Sequence, residues 1–195
     1  WKLLLNEDYP GWLREVKLGA TTVWERWNSV LDDGSISGTG MNSLNHYSYG
    51  SVVEWMYRHV AGIQATAGTL GFKDVTFTPS YHWDIKEQET SYDSPAGLYR
   101  SVWKILDEEH VELTVEVPFG CSAKLQLPLA DLSVYEDRKN PMFADVRDGV
   151  CHLEPGTYTV SYQTIKPLKQ KYSTNTPIRE LLENRQVKEA LSKVM

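Results

Sequence analysis

Glu25 is the residue of this 195-residue sequence that most invites a chemical role, because tryptophans stand on both sides of it in the run WERWNSVLDDG. Burial beside indole rings raises the pKa of a carboxyl unless a cation or a donor restores its ionised form. Such a carboxyl can transfer a proton, while Trp24 and Trp27 could stack on the C–H faces of a pyranose. One interpretation is a general base or acid in an aromatic-lined sugar pocket. The other is a surface glutamate beside two core tryptophans.

His46 is the second candidate, in the run NHYSYG just ahead of a predicted helix. It could donate a hydrogen bond to a ligand hydroxyl or share one with Glu25, or it could be a capping or core histidine. The other histidines lack the spacing of metal ligands, and neither cysteine lies in a C-x-x-C motif. We find no phosphate-binding or dinucleotide-binding glycine motif and no nucleophile elbow. We therefore assign no metal site and no cofactor.

Composition and charge narrow the classes of partner. The formal net charge is -6 and no block of lysine or arginine occurs, which argues against binding of nucleic acid or an anionic membrane. No apolar run approaches the ~20 residues that a membrane-spanning helix needs. Cys121 and Cys151 lie far apart in strand-like sequence, which favours buried free thiols over a disulfide. We expect a cytoplasmic location on that ground.

The first third of the chain is rich in tryptophan and predicted to be helical. The run PGWLREVKLG predicts a helix that Gly19 ends, and YGSVVEWMYRHVAGI predicts a second helix, covered on most sides, that Gly62 ends. In the first helix Pro10 is an early residue, and Trp12, Leu13 and Val16 are apolar. Residues 20–45 between the helices show no steady period, and a loop of that length is usually functional or disordered. Two tryptophans and a leucine within it favour a functional loop.

The later part of the chain has the pattern of a β-sandwich. HVELTVEVP alternates between apolar and polar residues, as a strand with one buried face does. DVTFTP, LYRSVWKIL, SAKLQLPL and GTYTVSYQT are further predicted strands, in an antiparallel sandwich of roughly 95 residues. Tyr81, Trp83 and Tyr92 could form a sugar-binding surface or fill the core and the domain seam. A last helix is predicted from the N-cap Thr176 onward, with an apolar side of Ile178, Leu181, Leu182 and Val187.

Three segments resemble the carboxy-terminal end of an α-L-rhamnosidase of glycoside hydrolase family 78. They are YPGWLREVKLGATTVWERW, SLNHYSYGSVVEWMYRHVAGI and YDSPAGLYRSVWKI, and the T-T-x-W-E block followed by N-H-Y-x-x-G is their most specific part. The resemblance implies an α+β architecture. Residues 1–65 would be the C-terminal helices of an (α/α)6 toroid, residues 66–165 an antiparallel β-sandwich, and residues 166–195 a tail with a C-terminal helix that packs back on the rest.

The resemblance also implies the inverting hydrolysis of terminal α-L-rhamnosyl groups, with a rhamnose-containing glycoside as the substrate. Glu25 matches the general base of the family, His46 matches a histidine that contacts the sugar, and Trp24 and Trp27 flank the base. The general acid of the family lies far upstream of this segment. The other carboxyl groups of the first segment match nothing in the pattern; they are Glu7, Glu15, Asp32, Asp33 and Glu54. We therefore expect a fragment that is inactive alone.

A further expectation follows from the part of the toroid that this segment lacks. Helices that lack their neighbours would expose an apolar surface, so we expect self-association or partial disorder of residues 1–65. The alternative to an enzyme fragment is a non-catalytic carbohydrate-binding or accessory β-sandwich module. The two hypotheses differ in whether Glu25 is needed for turnover.

Overall fold

Two four-stranded β-sheets form the larger part of the molecule, and short helices precede them. We describe it from a computed structural model, which covers residues 1–38, 40–135, 149–169, 176, 178–183, 187 and 192. The two sheets and the helices that precede them confirm the α+β fold with a β-sandwich that the sequence predicts. No described helix is long and apolar enough to cross a membrane.

The helices and strands follow in chain order. Helix α1 is Trp12–Lys17, and α2 is Val52–Trp55, preceded by a 3₁₀ turn at Ser48–Ser51 and continued by a π-helical turn at Met56–Val60. The strands are β1 Ile63–Ala65, β2 Asp74–Phe77, β3 Glu87–Ser94, β4 Gly97–Ile105, β5 His110–Val117, β6 Ser122–Gln126, β7 Val150–Leu153 and β8 Gly156–Gln163. A 3₁₀ turn at Leu132–Tyr135 and helix α3, Ile178–Glu183, complete the described elements.

The strand order is β1-β2-β6-β7 in one sheet and β3-β4-β5-β8 in the other. All neighbouring pairs are antiparallel except β2 and β6, which run parallel, with Val75 opposite Ala123. The parallel pair arises because β3, β4 and β5 intervene in the sequence but build the opposite sheet. A crossover of that length lets β6 return to β2 in the same direction.

The core lies between the two sheets, and β5 shows why. Val111, Leu113 and Val115 are fully buried and Val117 is 3% exposed, while the residues between them stay half-exposed. The predicted alternation of this strand is therefore confirmed. Tyr99 and Trp103 of β4 are also fully buried in this core.

The helices before the sandwich expose several apolar side chains. In α1 the buried residues are Arg14 and Glu15, whereas Val16 is 63% exposed. In the second helical stretch Val53 is 50% exposed and Met56 39%, so the expected cover on most sides is also wrong. Its buried end, at Val60, packs on the sandwich core, as does the half-buried Trp55.

The predicted last helix lies partly outside the described residues. Its described part, α3, leaves Ile178 71% exposed and Leu182 47% exposed. For these two residues the expected burial of the apolar side is wrong. An amphipathic pattern predicts a helix, but the surface that covers its apolar side has to come from elsewhere in the protein.

Candidate active site around Glu25

Two loop segments that are distant in sequence bring Glu25 and His46 together. The backbone N–H of Glu25 donates to the carbonyl of Ser43 at 2.9 Å, and the N–H of His46 donates to the carbonyl of Val23 at 2.8 Å. The hydroxyl of Thr22 also donates to the carbonyl of Leu44. Residues 22–25 and 43–46 therefore run side by side, with both candidate side chains on this paired unit.

The carboxylate of Glu25 is half-buried and held through one of its oxygens. Its Oε2 accepts a hydrogen bond of 2.8 Å from the backbone N–H of Ser43. Its Oε1 makes no hydrogen bond to the part of the chain that the structure describes. A carboxylate oriented in this way keeps one oxygen available to accept a proton from a water molecule.

The ring of His46 is oriented by Ser48. The N–H of Ser48 donates to Nδ1 of His46 at 3.3 Å, and Oγ of Ser48 lies 2.7 Å from the same nitrogen. Because Nδ1 accepts, the neutral imidazole carries its proton on Nε2. The ring therefore presents an N–H donor that can bind a ligand oxygen.

The two tryptophans near Glu25 have different surroundings. Trp24 is only 4% exposed, so its indole supports the loop from within. Trp27 is half-buried and stacks on Tyr49, with ring centroids 4.1 Å apart and planes 11° apart. Trp12 meets Trp27 edge to face at 5.0 Å and donates its indole N–H to the carbonyl of Tyr49 at 3.2 Å. We call Trp12, Trp27 and Tyr49 the aromatic cluster.

Arg14 of α1 binds the loop that follows Glu25. Its Nη1 donates to the carbonyl of Trp27 at 2.8 Å, while its Nη2 lies 2.5 Å from Oδ1 of Asp32 and 3.4 Å from the carbonyl of Val30. Sequence reasoning missed this role. The signal in the sequence is the adjacent pair Arg14 and Glu15, which stands among apolar residues of the helix.

Glu15, the neighbour of Arg14, is buried on the other side of the same loop. Its Oε2 accepts the backbone N–H of Trp24 at 3.5 Å, and its buried Oε1 has no hydrogen-bond partner among the described residues. Desolvation raises the pKa of Glu15, and the Trp24 N–H and the Arg14 charge oppose that rise only in part.

The aromatic residues of the sandwich that sequence reasoning singled out lie away from Glu25. Tyr81 meets Trp103 edge to face at 5.3 Å, and its hydroxyl lies 2.7 Å from that of Tyr162, so it fills the core. Tyr92 contacts Phe72, with ring centroids 4.7 Å apart.

Two cavities lie next to these aromatic residues. A cavity of about 480 Å³ adjoins Tyr92, and one of about 500 Å³ adjoins Tyr81 and Trp83. Glu25 and His46 line neither of them.

Comparison with known proteins relates both parts of the chain to one enzyme family. Residues 1–60 match the bacterial alpha-L-rhamnosidase 6 hairpin glycosidase domain, and residues 62–140 match the bacterial alpha-L-rhamnosidase C-terminal domain. An α-L-rhamnosidase of Formosa agariphila is 38% identical over 128 residues, which are 66% of this chain and 14% of that protein. One of Streptomyces avermitilis is 33% identical over 157 residues, which are 80% of this chain and 15% of that protein.

Solved structures agree with the sequence matches. The Streptomyces avermitilis α-L-rhamnosidase complexed with L-rhamnose has a TM-score of 0.69 at 32% identity, over 82% of this chain and 15% of that one. The Aspergillus terreus enzyme has a TM-score of 0.65 at 26% identity, over 83% of this chain and 16% of that one. The chain thus spans about 15% of the length of these relatives. With both of its parts matched to domains of the same enzymes, the chain belongs to the bacterial α-L-rhamnosidase family.

Proposed function

We propose that this chain is part of a longer α-L-rhamnosidase that hydrolyses terminal α-L-rhamnosyl groups with inversion, and that Glu25 is its general base. The observation that carries the proposal is the carboxylate of Glu25, with Oε2 held by the Ser43 N–H at 2.8 Å and Oε1 without a hydrogen bond among the described residues. This residue lies in the part of the chain that matches the six-hairpin glycosidase domain. Family membership supports a rhamnose-containing glycoside as the substrate class.

In the proposed reaction Glu25 takes a proton from a water molecule. The water oxygen forms a bond to the anomeric carbon as the bond from that carbon to the leaving oxygen breaks on the opposite side. A general acid donates a proton to the leaving oxygen, and inverting enzymes hold acid and base roughly 6.5–9.5 Å apart. We assign the acid to a part of the longer protein outside this chain. The isolated chain is then inactive.

The surroundings of Glu25 supply the proposed sugar contacts. His46 presents Nε2–H and is placed to donate to a sugar hydroxyl, because Ser48 occupies its Nδ1. Trp27 is half-buried and belongs to the aromatic cluster, which favours it over Trp24 for a direct sugar contact. We assign Trp24, at 4% exposure, to packing beneath the base.

The division of the chain supports the same proposal. The sequence boundary after residue 65 would separate β1, Ile63–Ala65, from its partner β2, so we place the end of the catalytic toroid before β1, the β-sandwich from β1 to residue 165 and the tail at 166–195. The change from the glycosidase-domain match to the C-terminal-domain match falls between residues 60 and 62, close to the first boundary. In this arrangement the sandwich and the tail support the toroid and take no part in the reaction.

The test replaces Glu25 with Gln in the full-length rhamnosidase that contains this chain. Loss of a general base typically costs about 10²–10⁴-fold in rate, so we expect kcat on p-nitrophenyl α-L-rhamnoside to fall by that factor. Proton NMR of the first product should show the anomer opposite to that of the substrate. Glu54→Gln, on an exposed carboxyl of the same segment, is the matched control and should leave kcat unchanged.

The same series separates the proposal from its alternative. Normal turnover by the Glu25→Gln variant would reject Glu25 as the base and favour a non-catalytic carbohydrate-binding or accessory module. Release of p-nitrophenol above background by the isolated 195-residue chain would reject the proposal that the chain alone is inactive.

We also propose that the isolated chain self-associates through its first segment. Several apolar side chains there are 46% to 75% exposed, namely Leu3, Val16, Ile36, Met41 and Val53. An exposed apolar surface of this kind favours association. Light scattering should give a mass above 22.3 kDa that falls on dilution; a constant monomer mass would reject this.

The cysteines support a reducing compartment, and we propose the cytoplasm. Cys121 and Cys151 are both buried, and neither forms a disulfide among the described residues. Buried free thiols are typical of proteins from reducing compartments. Two thiols should be titrated in the freshly purified, unfolded protein without reductant; none would indicate a disulfide and an oxidising compartment.

A further inference from the structure

Helix α1 places two of its three charged residues, Arg14 and Glu15, under the loop that carries Glu25. Arg14 is 9% exposed and Glu15 is 3% exposed, although both are charged at neutral pH in water. Burial of such groups is unfavourable unless hydrogen bonds or opposite charges compensate for the lost water. The hydrogen-bond and ion-pair partners of these two side chains therefore indicate why they are buried.

Those partners lie on both sides of Glu25. The backbone N–H of Trp24, the preceding residue, donates to Oε2 of Glu15 at 3.5 Å. The carbonyl of Trp27, two residues after Glu25, accepts from Arg14 at 2.8 Å. Helix α1 thus binds the backbone one residue before and two residues after the proposed base.

The guanidinium of Arg14 makes the larger share of these contacts. It bridges the Trp27 carbonyl, the Val30 carbonyl and the carboxylate of Asp32, whose own side chain is 91% exposed. A planar guanidinium can hold several acceptors in fixed relative positions, which a lysine ammonium does less well. The loop from Trp27 to Asp32 is therefore anchored to a buried point of the helix.

We propose that Arg14 is a positioning residue for Glu25: by fixing the Trp27 carbonyl and the Asp32 carboxylate, it sets where the base stands relative to the attacking water. Arg14 acts through the loop and does not touch the reacting atoms. The inference rests on the proposed function of Glu25. Glu15 completes the arrangement by holding the backbone on the Trp24 side.

The test is a double-mutant cycle in the full-length rhamnosidase, with p-nitrophenyl α-L-rhamnoside as the substrate. A displacement of a catalytic group by 1 Å can cost about 10²-fold, so Arg14→Gln should lower kcat by about 10- to 100-fold. We expect KM and the inhibition constant of L-rhamnose to stay within about twofold, because ground-state binding does not depend on the position of the base. If Arg14 acts through Glu25, the Arg14→Gln/Glu25→Gln variant should be no slower than Glu25→Gln alone.

Arg58→Gln is the matched control. Arg58 is an exposed arginine in an ion pair of 3.1 Å with Glu54, so its loss should leave kcat unchanged. Asp32→Asn removes the exposed negative charge that Arg14 binds and leaves the guanidinium an amide oxygen and the Trp27 and Val30 carbonyls as acceptors. It should lower kcat several-fold at an unchanged Tm, and it decides the question if Arg14→Gln does not fold.

Each outcome separates this inference from the proposed function. Two outcomes would overturn the positioning role alone. One is an unchanged kcat in the Arg14→Gln or the Asp32→Asn variant. The other is an Arg14→Gln/Glu25→Gln variant whose kcat falls by the product of the two single effects. Equal losses in kcat and in the affinity for L-rhamnose would indicate a merely structural role and would also overturn it. Normal turnover by Glu25→Gln would instead overturn the proposed function.

Discussion

The indole N–H of Trp103 donates a hydrogen bond of 2.8 Å to the backbone carbonyl of Val60, the last residue of the helical stretch before the sandwich. The hydroxyl of Ser101, on the same face of β4, donates to the carbonyl of Ala61 at 2.7 Å. The last carbonyls of a helix lack partners within the helix. Here β4 supplies those partners from the core, so the same two side chains end the helix and bind it to the sheet.

Trp103→Phe should therefore destabilise the protein by more than a simple loss of volume predicts. The substitution leaves the buried Val60 carbonyl without its donor, which typically costs about 1–3 kcal/mol. The free energy of unfolding can be measured by urea titration with far-UV circular dichroism. Trp83→Phe, on a half-exposed tryptophan, is the control and should change the urea midpoint little. Equal effects of the two substitutions would contradict the role of this hydrogen bond.

Gly62 occupies a position that no other residue fits, for two separable reasons. Its φ is +75°, and a Cβ built there would lie 2.2 Å from the backbone nitrogen of Pro79. Gly68 has a φ of +83° but nothing within 4 Å of the corresponding Cβ. The left-handed backbone costs a side chain about 1–2 kcal/mol, and overpacking adds about 1–3 kcal/mol.

Gly62→Ala should accordingly lower the free energy of unfolding clearly more than Gly68→Ala does. Both variants carry the conformational cost, and only the first carries the clash with Pro79. Thermal unfolding of the two variants beside the wild type measures the difference. Indistinguishable Tm values would mean that the backbone around Pro79 yields freely, contrary to this prediction.

The buried carboxyl of Glu15 should make stability depend on pH in a defined direction. Its pKa is raised in the folded protein by desolvation, so the folded state binds this proton more tightly than the unfolded state does. The protonated carboxyl therefore adds to the free energy of unfolding at pH values below 4.5, the pKa of Glu15 in the unfolded chain. This contribution is lost as the pH rises through the raised pKa of the folded state.

Glu15→Gln imitates the protonated carboxyl and removes this dependence. The variant should be more stable than the wild type at pH 7, and the difference should vanish as the pH falls below 4.5. Urea midpoints of both proteins at a series of pH values measure it, with Glu7→Gln on an exposed carboxyl as the control. A variant less stable than the wild type at pH 7 would show that the ionised carboxylate is the form that stabilises the loop.

Several parts of the fold could be predicted because their signals are local. The alternation of β5 identifies its buried face, since neighbouring side chains of a strand point to opposite sides. Gly19, with a φ of +82°, follows α1 as the sequence predicts. Strands β1, β3 and β7 were not predicted from the sequence. Strand β1 is only three residues long and β7 only four, and β3 buries only its last residue, Ser94.

The candidate site likewise has a part that the sequence predicts and a part that it does not. The sequence by itself singled out Glu25 and His46, and the resemblance of its motifs indicated the enzyme family that the comparisons show. Only the tertiary structure decided that residues 22–25 lie beside residues 43–46 and that Arg14 and Glu15 are buried beneath Glu25. The physical reason is that these contacts join residues far apart in the chain through backbone groups, which every residue carries and no side-chain pattern reveals.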